Sequence, residues 1–403
     1  MAENEVRVTE TQSWGSRLGD SIKGVLFGLA LFIAGFPVLF WNEGRAVATA
    51  KALDEGEGAC ISVESNAKVD PEMEGKLVHM IGKANTKDIL ADDAFGVSVN
   101  AIALKRKTEM FQWVEHSSTK EKKNLGGSVT KETVYKYSQE WSETAIDSSS
   151  FNTPAGHENP GAIEFPSESK RAANVSFGAF RLNESQIGRI GSEQAYAFPA
   201  GFTCKVSRVQ MQGNAILVPN LATRSNEKNV RDVATQPRVG DMRVTFSVVL
   251  PHDISIVSKQ KGDSFTGYLA KSKKKVDMLS DGTKEAAEMF EAARSANTFL
   301  TWLVRLGGFL LMFIGLSTAL KPLSVLADVL PILGDIVGVG AGIAAGLVAF
   351  ACAILTIGVA WLFYRPLVGV PLVVAGGALL VKSILKKKKA AAAAPASPTE
   401  QQG

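Results

Sequence analysis

Residues 24–41 form an uncharged, almost wholly apolar run, and they constrain this chain more than any other feature. As an α-helix rising ~1.5 Å per residue, such a run nearly crosses a ~30 Å hydrocarbon layer. Apolar character returns at 299–320, 336–363 and 367–385, while the long stretch between the first and second runs is polar. The pattern predicts four transmembrane helices carrying one large soluble domain at 42–298. A cleavable signal peptide is the rival reading of the first run. It is disfavoured because the run is longer than an ordinary h-region of ~7–15 residues, and Asn42, Glu43, Gly44 and Arg45 separate it from the small residues beyond.

Four spans place both termini on one side. The cluster Lys386, Lys387, Lys388 and Lys389 follows the last run directly, and such short-range positive clusters stay cytoplasmic. Segment 1–23 is then a cytoplasmic N-terminal segment, 386–403 a basic, disordered cytoplasmic tail, and the large domain extracytoplasmic. The connection 321–335 is too short and proline-rich for another crossing and too apolar for an ordinary loop, so it reads as a helical element at the cytoplasmic interface or a shallow re-entrant turn.

Within the large domain the period is two. Met242, Val244, Phe246, Val248 and Leu250 alternate with Arg243, Thr245 and Ser247 up to Pro251, which predicts a half-buried strand. Residues 96–104, 106–115 and 133–141 are also strand-like, and the Lys- and Gly-rich stretch 118–128 reads as a hairpin connection. Residues 284–296 are good helix formers behind the candidate cap Thr283 and lead into the second span. The fold class is therefore a membrane protein with four transmembrane α-helices and a β-rich α+β extracytoplasmic domain that ends in a juxtamembrane helix.

Chemistry-bearing patterns are sparse. His79, His116, His157 and His252 lack metal-ligand spacing, and no phosphate-binding loop or nucleophile elbow occurs, so no catalytic, metal or cofactor residues are assigned. A net charge of +4 without a base-reading motif argues against nucleic acid. Glu109, Trp113 and Glu115 share one strand face, where a solvated face is the ordinary reading of carboxylates so placed. Cys60 and Cys204 both fall in the polar domain, and their pairing stays open.

The apolar runs carry the sharper candidates. Gly334, Gly338, Gly342 and Gly346 recur every fourth residue, as do Gly24 and Gly28, giving smooth ridges on which a second helix can pack. Arg305 lies one turn inside the second span, where a charge needs a lipid headgroup or a carboxylate, with Trp302 as an interfacial marker and Glu43 or Asp54 as partners. Asp328 and Asp335, seven apart, would share a face on a continuous helix.

Several strings then resemble a known family together: Asn42-Glu43-Gly44-Arg45-Ala46-Val47, the stretch from Glu109 to Glu115, Gly240-Asp241-Met242-Arg243-Val244, and Thr301-Trp302-Leu303-Val304-Arg305-Leu306-Gly307-Gly308. In combination they resemble the LUMA, or transmembrane-protein-43, family from about residue 41 to 363. The resemblance implies a multi-pass membrane organiser that self-associates and binds other membrane proteins. In animals it implies the endoplasmic reticulum and inner nuclear membrane with a luminal domain. It also implies bacterial relatives, and the Ala- and Pro-rich tail favours an inner-membrane setting with a periplasmic domain. It brings no accepted catalytic residues. The expected partners are the phospholipid membrane, further copies of the chain and other membrane proteins. The rival function is a lipid-binding or lipid-modifying protein with a chamber at the membrane interface, and the weakest is a channel or transporter.

Overall fold

The computed structural model describes residues 5–220, 232–371 and 374, and the statements below concern those residues. They divide into two compact units, Met1–Ser13 with Lys51–Ser295, and Trp14–Ala50 with Ala296–Gly403. The first is β-rich and the second is helical. The fourth apolar run, 367–385, and Lys386, Lys387, Lys388 and Lys389 lie largely or wholly outside the described residues.

The strands that organise the first unit are β1 (Glu5–Gln12), β2 (Leu77–Thr86), β3 (Ala103–Lys123), β4 (Val129–Ser142), β5 (Met242–Val249) and β6 (Asp253–Lys261). One sheet runs β1-β4-β3-β5 and continues through Ala215–Val218 to Gln210–Gln212; a second centres on β2 paired with β6. Alternation along β5 behaves as its sequence predicts: Met242, Val244, Phe246 and Val248 are buried beside part-exposed Arg243, Thr245 and Ser247. Leu250, expected inside, is instead exposed, because the strand stops at Val249. Consecutive residues of β5 feed different apolar clusters. Val248 joins Phe95, Phe246 and Tyr196, whereas Val249 joins Phe177, Phe180 and Ile256. Pleating turns neighbouring side chains to opposite faces, so one strand serves two cores.

The expected hairpin at 118–128 is present, but its turn is confined to Asn124–Ser128, and the lysine-rich stretch before it is strand. Opposite charges sit across the ladder, Lys120 facing Glu132 and Glu121 facing Lys131, and the Thr119 and Thr133 hydroxyls are 3.0 Å apart. Such cross-strand pairs stabilise a sheet without an apolar face, which is why periodicity alone hid it. Gly126 and Gly127 take positive φ at the tip, where glycine bears no Cβ penalty.

Segment 1–23 departs from expectation. Glu5–Gln12 is not loose: it is a strand that pairs antiparallel with residues 129–136 of β4 along its whole length. Helix α1 follows at once, Trp14–Ala59, and extends well beyond the 24–41 run at both ends.

The other long helices are α2 (Ala286–Ala327) and α3 (Pro331–Tyr364). Together with α1 they are three helices long and apolar enough to cross a membrane. The juxtamembrane helix and the second span are one continuous α2, which starts at Ala286 and not after Thr283. No separate interfacial helix fills 321–335. Instead α2 runs on through Pro322 to Ala327, a turn covers 328–330, and Pro331 opens α3 at the first-turn position where its missing N–H costs nothing. That break also separates Asp328, which is buried, from Asp335, which is exposed, so the two do not share a helical face.

Candidate functional site

Four consecutive residues of α1 build the most organised polar site of the helical unit. Asn42 and Glu43 are fully buried although they follow the apolar run directly. A buried polar group needs partners, and each has them. Asn42 donates its amide N–H to the Thr301 carbonyl at 3.1 Å and accepts from Arg45. Arg45 reaches further, donating to Asn297 Oδ1 at 3.0 Å and to Thr301 Oγ1 at 3.1 Å, while Asn297 returns a bond to the Ala46 carbonyl at 3.0 Å. Gly44 leaves room for an aromatic ring, since a Cβ there would sit 2.7 Å from Tyr364.

Glu43 faces Arg305. The guanidinium donates from Nε at 2.7 Å and from Nη2 at 2.9 Å to the two carboxylate oxygens, a bidentate fork. Trp361 Nε1 donates to the same carboxylate at 2.8 Å. Two indoles flank the cation, with Arg305 Cζ 4.7 Å from the Trp302 ring centre and 5.8 Å from that of Trp361. Arg305 thus has a carboxylate partner, and of the two candidates it is Glu43. Trp302 remains exposed on its outer side. Neither Trp361 nor the Asn297–Thr301 turn was legible as part of the site, because partners so distant in sequence leave no local pattern.

A second ion pair joins Arg17 of α1 to Asp328, the residue that follows α2. Arg17 donates to Asp328 at 2.5 Å, with Asp328 only 1 % exposed, and Trp14 Nε1 bonds the Val325 carbonyl at 2.8 Å. From Arg17 to Glu43 the helix rises ~39 Å, and from Arg305 to Asp328 ~35 Å, each a little more than a hydrocarbon layer of ~30 Å. The two pairs therefore bracket an apolar stretch of membrane thickness.

Between them the helices touch through small residues. A Cβ on Gly28 would lie 2.5 Å from the Gly315 carbonyl oxygen, and one on Gly315 would lie 2.6 Å from that of Gly28. Gly24 abuts Thr318, Gly334 sits against Asp328, Gly338 faces Ser324 and Gly346 faces Phe313, whereas Gly342 has open space. Of the ridge glycines of α3 only Gly334 is buried; the other buried positions of that helix are Ala345, Ala349, Ala353, Thr356 and Ala360. A spacing of four among glycines shows neither those alanines nor the pair Gly308 and Gly315. Spacings of four and seven, searched for all small residues, would have revealed both.

A groove of about 750 Å³ opens beside the Glu43–Arg305 pair, lined by Trp302, Arg305, Phe309, Phe350, Gly358 and Trp361 among others. Its wall is almost entirely apolar apart from the guanidinium.

In the β-rich unit the sequence candidates disperse. Glu109 pairs with Arg243 at 2.8 Å, while Glu115 accepts from the Tyr137 hydroxyl at 2.7 Å and from the Asn152 amide at 2.6 Å. Trp113 packs on His157, which is buried. His79 contacts the Lys284 carbonyl, His116 pairs with Glu140 and His252 with Asp281. Among the described residues no three His, Cys, Asp or Glu side chains converge. Cys60, Cys204 and Cys352 are free thiols. Burial, helped by nearby Glu57, pushes the Cys60 thiol up to about 11, and burial raises that of Cys204.

No solved structure matches the chain. Known sequences do. The mouse Transmembrane protein 43 is 33% identical over 390 residues, covering 92% of this chain and 94% of its own length. The human Transmembrane protein 43 is 32% identical with 92% of each covered, and the Drosophila melanogaster Transmembrane protein 43 homolog is 28% identical over 88% of this chain and 92% of its own. The family described as Transmembrane protein 43 matches residues 110–366, a stretch that takes in the β3–β4 hairpin, β5, Arg305 and Trp361. This multi-helix membrane protein belongs to the Transmembrane protein 43 family.

Proposed function

We propose that the chain is a non-catalytic membrane organiser that self-associates and gathers other membrane proteins around its β-rich domain. The observation that carries this reading is one face of α3: Ile336, Val339, Ile343 and Leu347 project together and are all more than half exposed, with open space at Gly340. An exposed stripe of large and very small residues lets a second helix approach closely at membrane depth. Mass measurement of the full chain in lipid nanodiscs tests it. The expected result is a multiple of the 42.9 kDa chain mass, and a plain monomer overturns self-association.

The proposed topology has four crossings, cytoplasmic termini and an extracytoplasmic domain, in a bacterial inner membrane or, alternatively, in endoplasmic-reticulum and inner nuclear membranes. It rests on the lysine cluster 386–389. On this reading the β1–β4 pairing opens once α1 crosses, because an unclosed polar sheet cannot pass through hydrocarbon. Single cysteines at Thr9 and Gly126, in a chain whose native cysteines are replaced, report the two sides to a membrane-impermeant maleimide. Gly126→Cys is expected to label on intact cells or sealed vesicles from the extracytoplasmic face, and Thr9→Cys only after permeabilisation. Labelling of both from one face overturns the single crossing by α1.

A second reading is favoured by the groove beside Arg305: a protein that holds lipid in a chamber at the membrane interface.

A further inference from the structure

We infer that the groove holds a glycerophospholipid whose phosphodiester accepts a hydrogen bond from Arg305 Nη1 while an acyl chain lies along Phe309, Phe350 and Ile354. This rests on the lipid-holding reading of the groove and adds what that reading lacks, the chemistry that selects the lipid.

The argument begins with the guanidinium. Its Nε and Nη2 are committed to Glu43, and Nη1 has no hydrogen-bond partner among the described residues. Arg305 cannot swing away to find one in water, because the bidentate fork fixes its plane and the Trp302 and Trp361 rings flank it. Only 13% of its side chain is exposed, and it lines the groove. A donor held in a low-dielectric, apolar cleft calls for an acceptor that the membrane itself supplies.

Shape narrows the choice. The wall formed by Leu306, Phe309, Phe350, Ile354 and Ile357 has no hydrogen-bonding side chain, which suits a hydrocarbon chain and not a headgroup. The occupant therefore carries one strong acceptor above an apolar tail. Charge then makes a sharper statement. Glu43 already cancels the positive charge of Arg305, so the pair as a whole is neutral and offers a directed donor without an excess of positive potential. Recognition follows the phosphodiester and not the net charge of the headgroup. Zwitterionic and anionic phospholipids are held alike, and a lipid with the same chains but no phosphate is not.

The test uses the full chain, purified in detergent and exchanged into micelles containing dioleoylphosphatidylcholine, dioleoylphosphatidylglycerol or dioleoylglycerol, with bound lipid counted by native mass spectrometry. The unaltered chain is expected to keep either phospholipid to a similar extent and dioleoylglycerol about tenfold less. Two variants separate the parts. Arg305→Lys retains a cation for Glu43 but loses the Nη1 donor, and is expected to lower phospholipid retention about tenfold with dioleoylglycerol unchanged. Gly358→Leu places a side chain into the open groove without touching the ion pair, and is expected to abolish retention of all three lipids. If dioleoylglycerol is kept as well as the phospholipids, or Arg305→Lys changes nothing while Gly358→Leu still empties the groove, the phosphodiester contact is wrong and the lipid groove stands. If Gly358→Leu also changes nothing, the groove reading itself falls, and the inference with it. Thermal unfolding of each variant confirms that it is folded before lipid is counted.

Discussion

Glu43→Ala is expected to cost about 3–5 kcal/mol of stability, one of the two largest effects in the protein, because it strands the Arg305 guanidinium in an apolar setting without its counter-charge. Nothing nearby replaces the carboxylate. Asn42 and Arg45 are occupied with Thr301 and Asn297, and Trp361 loses its acceptor at the same time. The effect belongs to the pairing, not to the presence of charge. Removing both members in Glu43→Leu with Arg305→Leu is therefore expected to recover most of the loss, since well-packed apolar groups substitute for a buried ion pair at little cost. Thermal unfolding of the single and double variants in nanodiscs checks both statements, and equal destabilisation by the single and double changes would refute the coupling.

The second large effect is expected at Gly28. A side chain there meets the backbone of Gly315 and Ala319, at 2.5 and 2.8 Å for a bare Cβ, and backbone in a helix has nowhere to retreat. Alanine is expected to cost about 1–3 kcal/mol by overpacking, and leucine more, because α1 and α2 must then separate. Gly342→Leu provides the contrast. It enters open space and is expected to leave the unfolding temperature of the chain within a degree or two, since surface changes away from such contacts cost under about 0.5 kcal/mol. A comparable loss from both variants would mean that glycine content and not close approach governs the packing.

How far the sequence alone reaches depends on where each signal resides. Membrane helices announce themselves because their cause is local: an apolar run long enough to cross, and the three described helices lie where the runs are. Strand β5 was equally legible, for its one buried face imposes alternation on neighbouring residues. Arg305 stood out by its setting, and Glu43 was among its named partners, since a charge within an apolar run demands one. The ring of groups completing that site was hidden. Trp361 and Glu43 are joined only by the folding of α3 beside α1, and nothing in either local sequence reports the other. Polarity concealed β1 and the outer ends of the hairpin strands, 118–123 and 129–132, for a different reason. Val6 and Val8 do alternate, but Glu5, Arg7 and Thr9 beside them are what any soluble segment contains, and their ladder is held by backbone bonds and cross-strand charge such as Arg7 with Glu132. A spacing of four picks out the glycine ridge, whereas burial keeps only Gly334 from it and otherwise falls on alanines and Thr356, which spacing rules centred on glycine pass over.

The pairing of β1 also imposes an order of events during synthesis. Glu5–Gln12 is among the first parts of the chain to leave the ribosome, yet its partner, residues 129–136, follows more than a hundred residues later. At ~5–20 residues per second that delay is roughly 6–25 s. For about the last 70 residues of that delay α1 is already complete and apolar. β1 therefore waits unpaired while α1 is made and for ~70 residues beyond it, so this edge of the sheet is completed from the first residues of the chain only late in synthesis.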